Sequence, residues 1–220
     1  MYNLKFIGRS LLAGVCISIG GIVYLKVGGV AGAILFAFGL LAVVNLGLNL
    51  FTGKSQFVWN PDREAYRWIG SILAGNIFGC ILVAYAVVTP ELQEAARSII
   101  ETRLKAGPIR CGLLAIGCGF IMTTAVRGAA KGNWWVLLFG VPAFIICGFP
   151  HCIADAFYIA TTLSDISTFR ELGLFNIMQF YIAAVIGNFI GCNLYRIALP
   201  GEPFPYSSKK KITSTVQATE

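Results

Sequence analysis

Gly148-Phe-Pro-His-Cys-Ile-Ala-Asp-Ala156 decides the fold, because all but its last two residues lie in a stretch, Gly132 to Ala154, that holds no charged residue. A helix needs roughly 20 apolar residues to cross a hydrocarbon core of about 30 Å. The run is long enough, yet it carries a glycine, a proline and the chain's one histidine near its middle, with Asp155 just beyond. Irregular backbone at membrane depth leaves amide groups unsatisfied, so it persists only where protein or a watery cavity receives it. An ionisable side chain there marks a functional site by default.

A second stretch has the same character. Asn45-Leu-Gly-Leu-Asn-Leu-Phe-Thr-Gly53 closes the charge-free run Val27 to Gly53 with two asparagines, a threonine and two glycines. Working outward, Trp68 to Pro90 and Leu172 to Tyr195 are also long enough to span, and the shorter runs Ser10 to Leu25 and Cys111 to Val126 are flanked by arginine or lysine that can snorkel to headgroups. Six spans are predicted, the first too well integrated with the rest of the chain to be a cleaved leader. Three occupy residues about 6–90 and three about 108–199, so the two halves enter the membrane in opposite senses, with the irregular second and fifth spans in matching places. Residues 1–200 form the transmembrane domain and 201–220 a polar tail.

Composition agrees. The chain is 57% hydrophobic and 12% charged, about half the charged share of a soluble domain. Lys5, Arg9, Lys54, Arg63, Arg67, Arg127, Lys131, Arg196 and Lys209 to Lys211 fall on one side of the six spans, which places both termini in the cytoplasm of a multi-pass inner-membrane protein. The net charge of +7 follows from this anchoring, and no nucleic-acid partner is called for. Seven cysteines, none in a CxxC pair, read as small packing residues; no disulfide framework, metal site or cofactor is predicted. The connecting stretch has Thr89 as N-cap, Pro90 at the first helical position and Gly107-Pro108 as terminator, a surface helix outside the membrane, and residues 166 to 175 form a short interfacial connection.

His151 and Asp155 stand i, i+4, so a helix resuming after Pro150 lets them share a face and a hydrogen bond. Phe144 lies two turns before His151, Phe36 and Leu40 share a face of the second span, and Phe51 follows its irregular segment. Facing a pore, these apolar residues make constrictions. An ionised Asp155 beside His151 holds the imidazole protonated; one that accepts backbone donors braces the helix instead.

These residues resemble the formate/nitrite transporter family. Asn49-Leu-Phe-Thr-Gly-Lys54 is similar to its acidic-Leu-Phe-Thr motif, Gly148 to Phe157 to its Gly-Phe-Glu-His-Ser-x-Ala-Asn-x-Phe motif, and Ile186-Gly-Asn-Phe-Ile-Gly191 to its Ile-Gly-Asn-x-x-Gly. The resemblance implies an aquaporin-like all-α protomer in a homopentamer, one pore each, passing small monovalent anions such as formate, nitrite or hydrosulfide, or their conjugate acids, with protons as partner. It also implies His151 as the central histidine, Thr52 as the pore-facing threonine and Asn188 as a polar partner to the histidine region. Phe36 and Phe144 would form the outer constriction, Leu40 and Phe51 the inner one, and Lys105, preferred over Arg103, the vestibule cation. Asn49, Pro150, Asp155 and Gly119 depart from the pattern. On this reading His151 supplies a proton that neutralises the anion between the constrictions. An aquaporin-like channel for a neutral solute is the alternative, though paired Asn-Pro-Ala motifs are absent. A membrane-embedded enzyme finds little catalytic machinery in one histidine and few carboxylates.

Overall fold

The computed structural model describes residues 3–58 and 62–200, and among them all regular structure is helical. In chain order the helices are α1 (Leu4–Val27), α2 (Gly29–Asn45), α3 (Phe51–Lys54), α4 (Arg63–Val87), α5 (Pro90–Ala130), α6 (Trp135–Ile146), α7 (Cys152–Thr162), α8 (Ile166–Leu172), α9 (Leu174–Cys192) and α10 (Leu194–Ala198), with one 3-10 turn, Ser55–Phe57, continuing α3. Four of them, α1, α4, α5 and α9, are long and apolar enough to cross a membrane. Shorter helices lie along the other two charge-free runs, α2 and α3 along one and α6 and α7 along the other, each pair separated by non-helical residues. The predicted tail, 201–220, lies outside the described residues.

Helix ends follow local chemistry. Asn3 caps α1 by accepting the Phe6 N–H at 2.9 Å, and Asp62 caps α4 by accepting the Ala65 N–H at 2.8 Å. Thr89 caps α5, with Pro90 in the first turn as predicted. The Gly107-Pro108 terminator does interrupt the helix, since Gly107 adopts φ 77°, but no loop follows and Pro108 opens the next segment directly. The 90–106 segment buries Leu92, Ala96 and Ile100 along one face, so it lies against the protein as a half-buried helix. Arg97 ties it to α8 through Glu171 at 2.7 Å and bonds Glu101 one turn on, which holds the Glu101 carboxyl below the usual range.

Small residues bring the long helices together. A Cβ on Gly14 would collide with the Asn76 carbonyl, and one on Gly79 with the Leu11 carbonyl, so α1 and α4 touch backbone to backbone. The same relation joins α5 and α9: a Cβ on Gly119 would meet the Asn188 carbonyl, and one on Gly191 the Ile116 carbonyl. Close approach of this kind drives helix association where lipid removes the hydrophobic driving force. The outer surface carries Phe38, Phe78, Leu113, Trp135, Phe139, Phe175 and Ile186 exposed, far more apolar area than a soluble monomer leaves in water.

Candidate functional site

The two irregular segments are built alike. After α2, Leu46 N–H returns to Ala42 O, Gly47 turns at φ 61°, and Leu48 N–H reaches back to Val43 O. After α6, Cys147 N–H returns to Ala143 O, Gly148 turns at φ 66°, and Phe149 N–H reaches back to Phe144 O. Each is a left-handed helix stop, which is why glycine stands at both positions. Two non-helical residues follow, and a new helix starts, from the extended Leu50 as N-cap of α3 and the extended His151 as N-cap of α7.

Two asparagines clamp these restarts. Asn188 Oδ1 accepts the Cys152 N–H at 2.8 Å, while Nδ2 donates to Pro150 O at 3.0 Å and Ala115 O at 2.8 Å. Asn76 does the same in the first half: Oδ1 accepts from Phe51 N at 2.8 Å, and Nδ2 donates to Asn49 O at 2.8 Å and Ser10 O at 2.6 Å. Cysteines one turn further complete the match across the halves. Cys80 Sγ reaches Ile153 O at 3.4 Å, and Cys192 Sγ reaches Thr52 O at 3.0 Å. Buried amides freed by the breaks are thereby satisfied, each bond contributing about 1 kcal/mol and each orphan costing more. Asn188 thus holds the backbone beside the histidine: two of its side-chain bonds go to that backbone and the third to Ala115 O on α5. Asn76, Cys80 and Cys192 were not singled out from the sequence, although Gly75-Asn-Ile-Phe-Gly-Cys80 and Gly187-Asn-Phe-Ile-Gly-Cys192 share a pattern that announces them.

At the meeting point of the segments, Thr52 Oγ1 lies 3.1 Å from His151 Nε2, and both residues are buried. His151 Nδ1 accepts the Ala154 N–H at 3.2 Å. A backbone N–H can only donate, so Nδ1 is bare, and the proton of the neutral ring sits on Nε2 and is donated to Thr52. The Thr52 hydroxyl proton is then available to a further acceptor. The Phe144 ring stacks on the imidazole with centroids 5.6 Å apart, and Phe36 meets Phe144 edge to face at 6.3 Å. Leu40 and Phe51 are both buried in the core.

The expected His151–Asp155 hydrogen bond does not form. His151 has φ −113° and ψ 109°, an extended cap residue rather than a helical one, so the i, i+4 relation does not bring the two side chains together. Asp155 faces Arg103, whose Nε is 3.5 Å from Oδ1, while Arg103 Nη1 donates to Gly148 O. Lys105 is exposed, and Arg103 is the cation that lines the cavity. That cavity, about 260 Å³, is bounded by Tyr24, Phe36, Arg103, Phe144, His151 and Asp155, among others. Of the departures, Gly119 is a helix-crossing residue where no side chain fits, and Pro150 contributes its carbonyl to the Asn188 clamp. Among the described residues no group of three His, Cys, Asp or Glu is arranged to hold a metal ion.

The formate/nitrite transporter family's sequence profile matches residues 1–199. The chain is 28% identical over 240 aligned positions to the "Probable formate transporter" of Methanothermobacter thermautotrophicus, covering 85% of this chain and 84% of that one. It is 29% identical to the "Formate-nitrite transporter" of Entamoeba histolytica, over 86% of this chain and 61% of that one. Among solved structures the fold is similar to a pentameric formate channel with formate bound, at TM-score 0.77 and 21% identity over 88% of this chain and 94% of that one. It is equally similar to an FNT family ion channel, at TM-score 0.77 and 18% identity over 90% of this chain and 91% of that one.

Proposed function

The chain belongs to the formate/nitrite transporter family, and from that premise we propose that it moves small monovalent anions such as formate, nitrite or hydrosulfide, or their conjugate acids, through a pore within each protomer. The observation that carries this reading is the Thr52–His151 contact of 3.1 Å, made by two helix restarts inside the bundle. Paired breaks of this kind put backbone dipoles and polar side chains at mid-membrane, where a transported ion needs them.

In this reading six spans form two inverted halves, about 6–90 and 108–199, of an aquaporin-like protomer, with α2–α3 and α6–α7 as the broken second and fifth spans. The matched clamps of Asn76 and Asn188 support it, as does the exchange of contacts between Cys80 and Ile153 and between Cys192 and Thr52. Phe36 with Phe144 forms one constriction and Leu40 with Phe51 the other. Arg103 takes the vestibule role, drawing anions to the mouth by its charge. The protein sits in the cell membrane as a homopentamer, in keeping with the pentameric neighbour and with the apolar coat, and both termini are cytoplasmic, so the Arg103 cavity opens on the opposite side.

Proteoliposomes offered formate, nitrite, hydrosulfide, lactate, acetate and chloride test the reading. Flux of the small monovalent weak-acid anions well above protein-free vesicles is expected. Osmotic swelling with a neutral solute and no anion flux would replace it with a neutral-solute channel.

A further inference from the structure

Asp155 is wholly buried, it lines the cavity shared with Arg103 and His151, and neither of its carboxylate oxygens accepts a hydrogen bond. Its one charged neighbour among the described residues is held elsewhere as well, since Arg103 donates to the Gly148 carbonyl and reaches Asp155 only at 3.5 Å. An ionised carboxylate taken out of water with so loose a partner is costly, and a proton relieves the cost. The titratable groups around it come from every helix packed on α7: Arg103, Cys111 and Cys118 on α5, Tyr24 on α1, Cys80 on α4, Tyr181 on α9, and His151, Cys152 and Tyr158 on its own segment. Only Arg103 among them carries a fixed charge.

His151 is badly placed to carry an exchangeable proton. Its Nδ1 caps α7 and its Nε2 is engaged with Thr52. Adding a proton at Nδ1 would break the cap and set a cation at the positive end of a helix.

We propose that Asp155, held against Arg103 at the mouth of the pore, carries the proton that neutralises the transported anion; the proposal rests on the anion-transport reading above. The anion docks in the cavity, beside the guanidinium and the protonated Asp155 carboxyl. The Oδ–H bond breaks as an O–H bond forms on the anion, no electrons change hands, and the neutral acid passes Phe36 and Phe144. The Asp155 carboxylate is left beside Arg103 and takes its next proton from water at the mouth. Arg103 is the positioning residue, and Asp155 the proton donor.

The test reconstitutes the full chain and its Asp155→Asn, Asp155→Glu and His151→Asn variants, following formate entry, internal pH and membrane voltage together as the external pH is lowered. The native protein is expected to move one proton per formate without voltage dependence, its rate rising about tenfold per pH unit where the donor is mostly ionised. Asp155→Asn is expected to flatten that slope below about twofold and to make the residual flux voltage-dependent, with Asp155→Glu restoring the coupling. His151→Asn is expected to be slower with the same slope. Proton accompaniment that survives in Asp155→Asn, or that disappears in His151→Asn alone, overturns the proposal while leaving anion transport standing. Native protein that moves no small anion overturns the transport reading and the proposal with it.

Discussion

At the scale of single residues, the site depends on side chains that satisfy backbone. Asn76 and Asn188 each make three buried hydrogen bonds, and replacing either with alanine removes all three and strands a carbonyl and an N–H at the helix restart. Asn76→Ala is expected to lose about 3 kcal/mol or more of stability, at roughly 1 kcal/mol per bond, read as a lower midpoint of thermal unfolding in detergent. The two candidate cations separate cleanly. Arg103→Ala is expected to cut formate flux about tenfold at low salt, with a smaller deficit at high salt as screening takes over, whereas Lys105→Ala changes it less than twofold. Flux measured at two ionic strengths checks both. The position of His151 was legible from sequence because a lone histidine in a charge-free run has few other uses. Its partner was not, because an i, i+4 rule presumes a helix that His151 only caps.

At the scale of elements, glycine decides where helices stop and how closely they cross. The stops at Gly47 and Gly148 require left-handed backbone, at φ 61° and 66°. Gly148→Ala is expected to cost about 1–2 kcal/mol and to displace the carbonyl that Arg103 holds, so that stability and formate flux fall together. Both stops were visible in the sequence as polar, glycine-bearing interruptions of charge-free runs. The crossings were less so. Gly119 looked like a lost polar group, yet it stands where α5 meets the Asn188 carbonyl of α9, as Gly14 meets the Asn76 carbonyl of α4. Gly119→Ala is expected to separate α5 from α9 and lower the unfolding midpoint, whereas Gly70→Ala, which meets nothing, is expected to leave it unchanged. A glycine's role at a crossing depends on the facing helix, which a single run of sequence does not name.

At the scale of the whole molecule, an apolar coat surrounds buried polar groups, Thr52 and His151 among them, and Arg103 faces Asp155 beside the same cavity. Composition and charge spacing were sufficient to read the membrane environment, since they reflect bulk solvent preference. The partnership of Arg103 with Asp155 was hidden, because the two lie on different helices and meet only through the fold. The most direct measurement is formate entry into proteoliposomes bearing Thr52→Val, a near-isosteric change that removes the hydroxyl facing His151. If the path runs past that contact, entry falls about five- to tenfold, the equivalent of one hydrogen bond, with oligomeric state unchanged and Thr52→Ser restoring the rate. Entry at the native rate in Thr52→Val would contradict a pore that passes between Thr52 and His151.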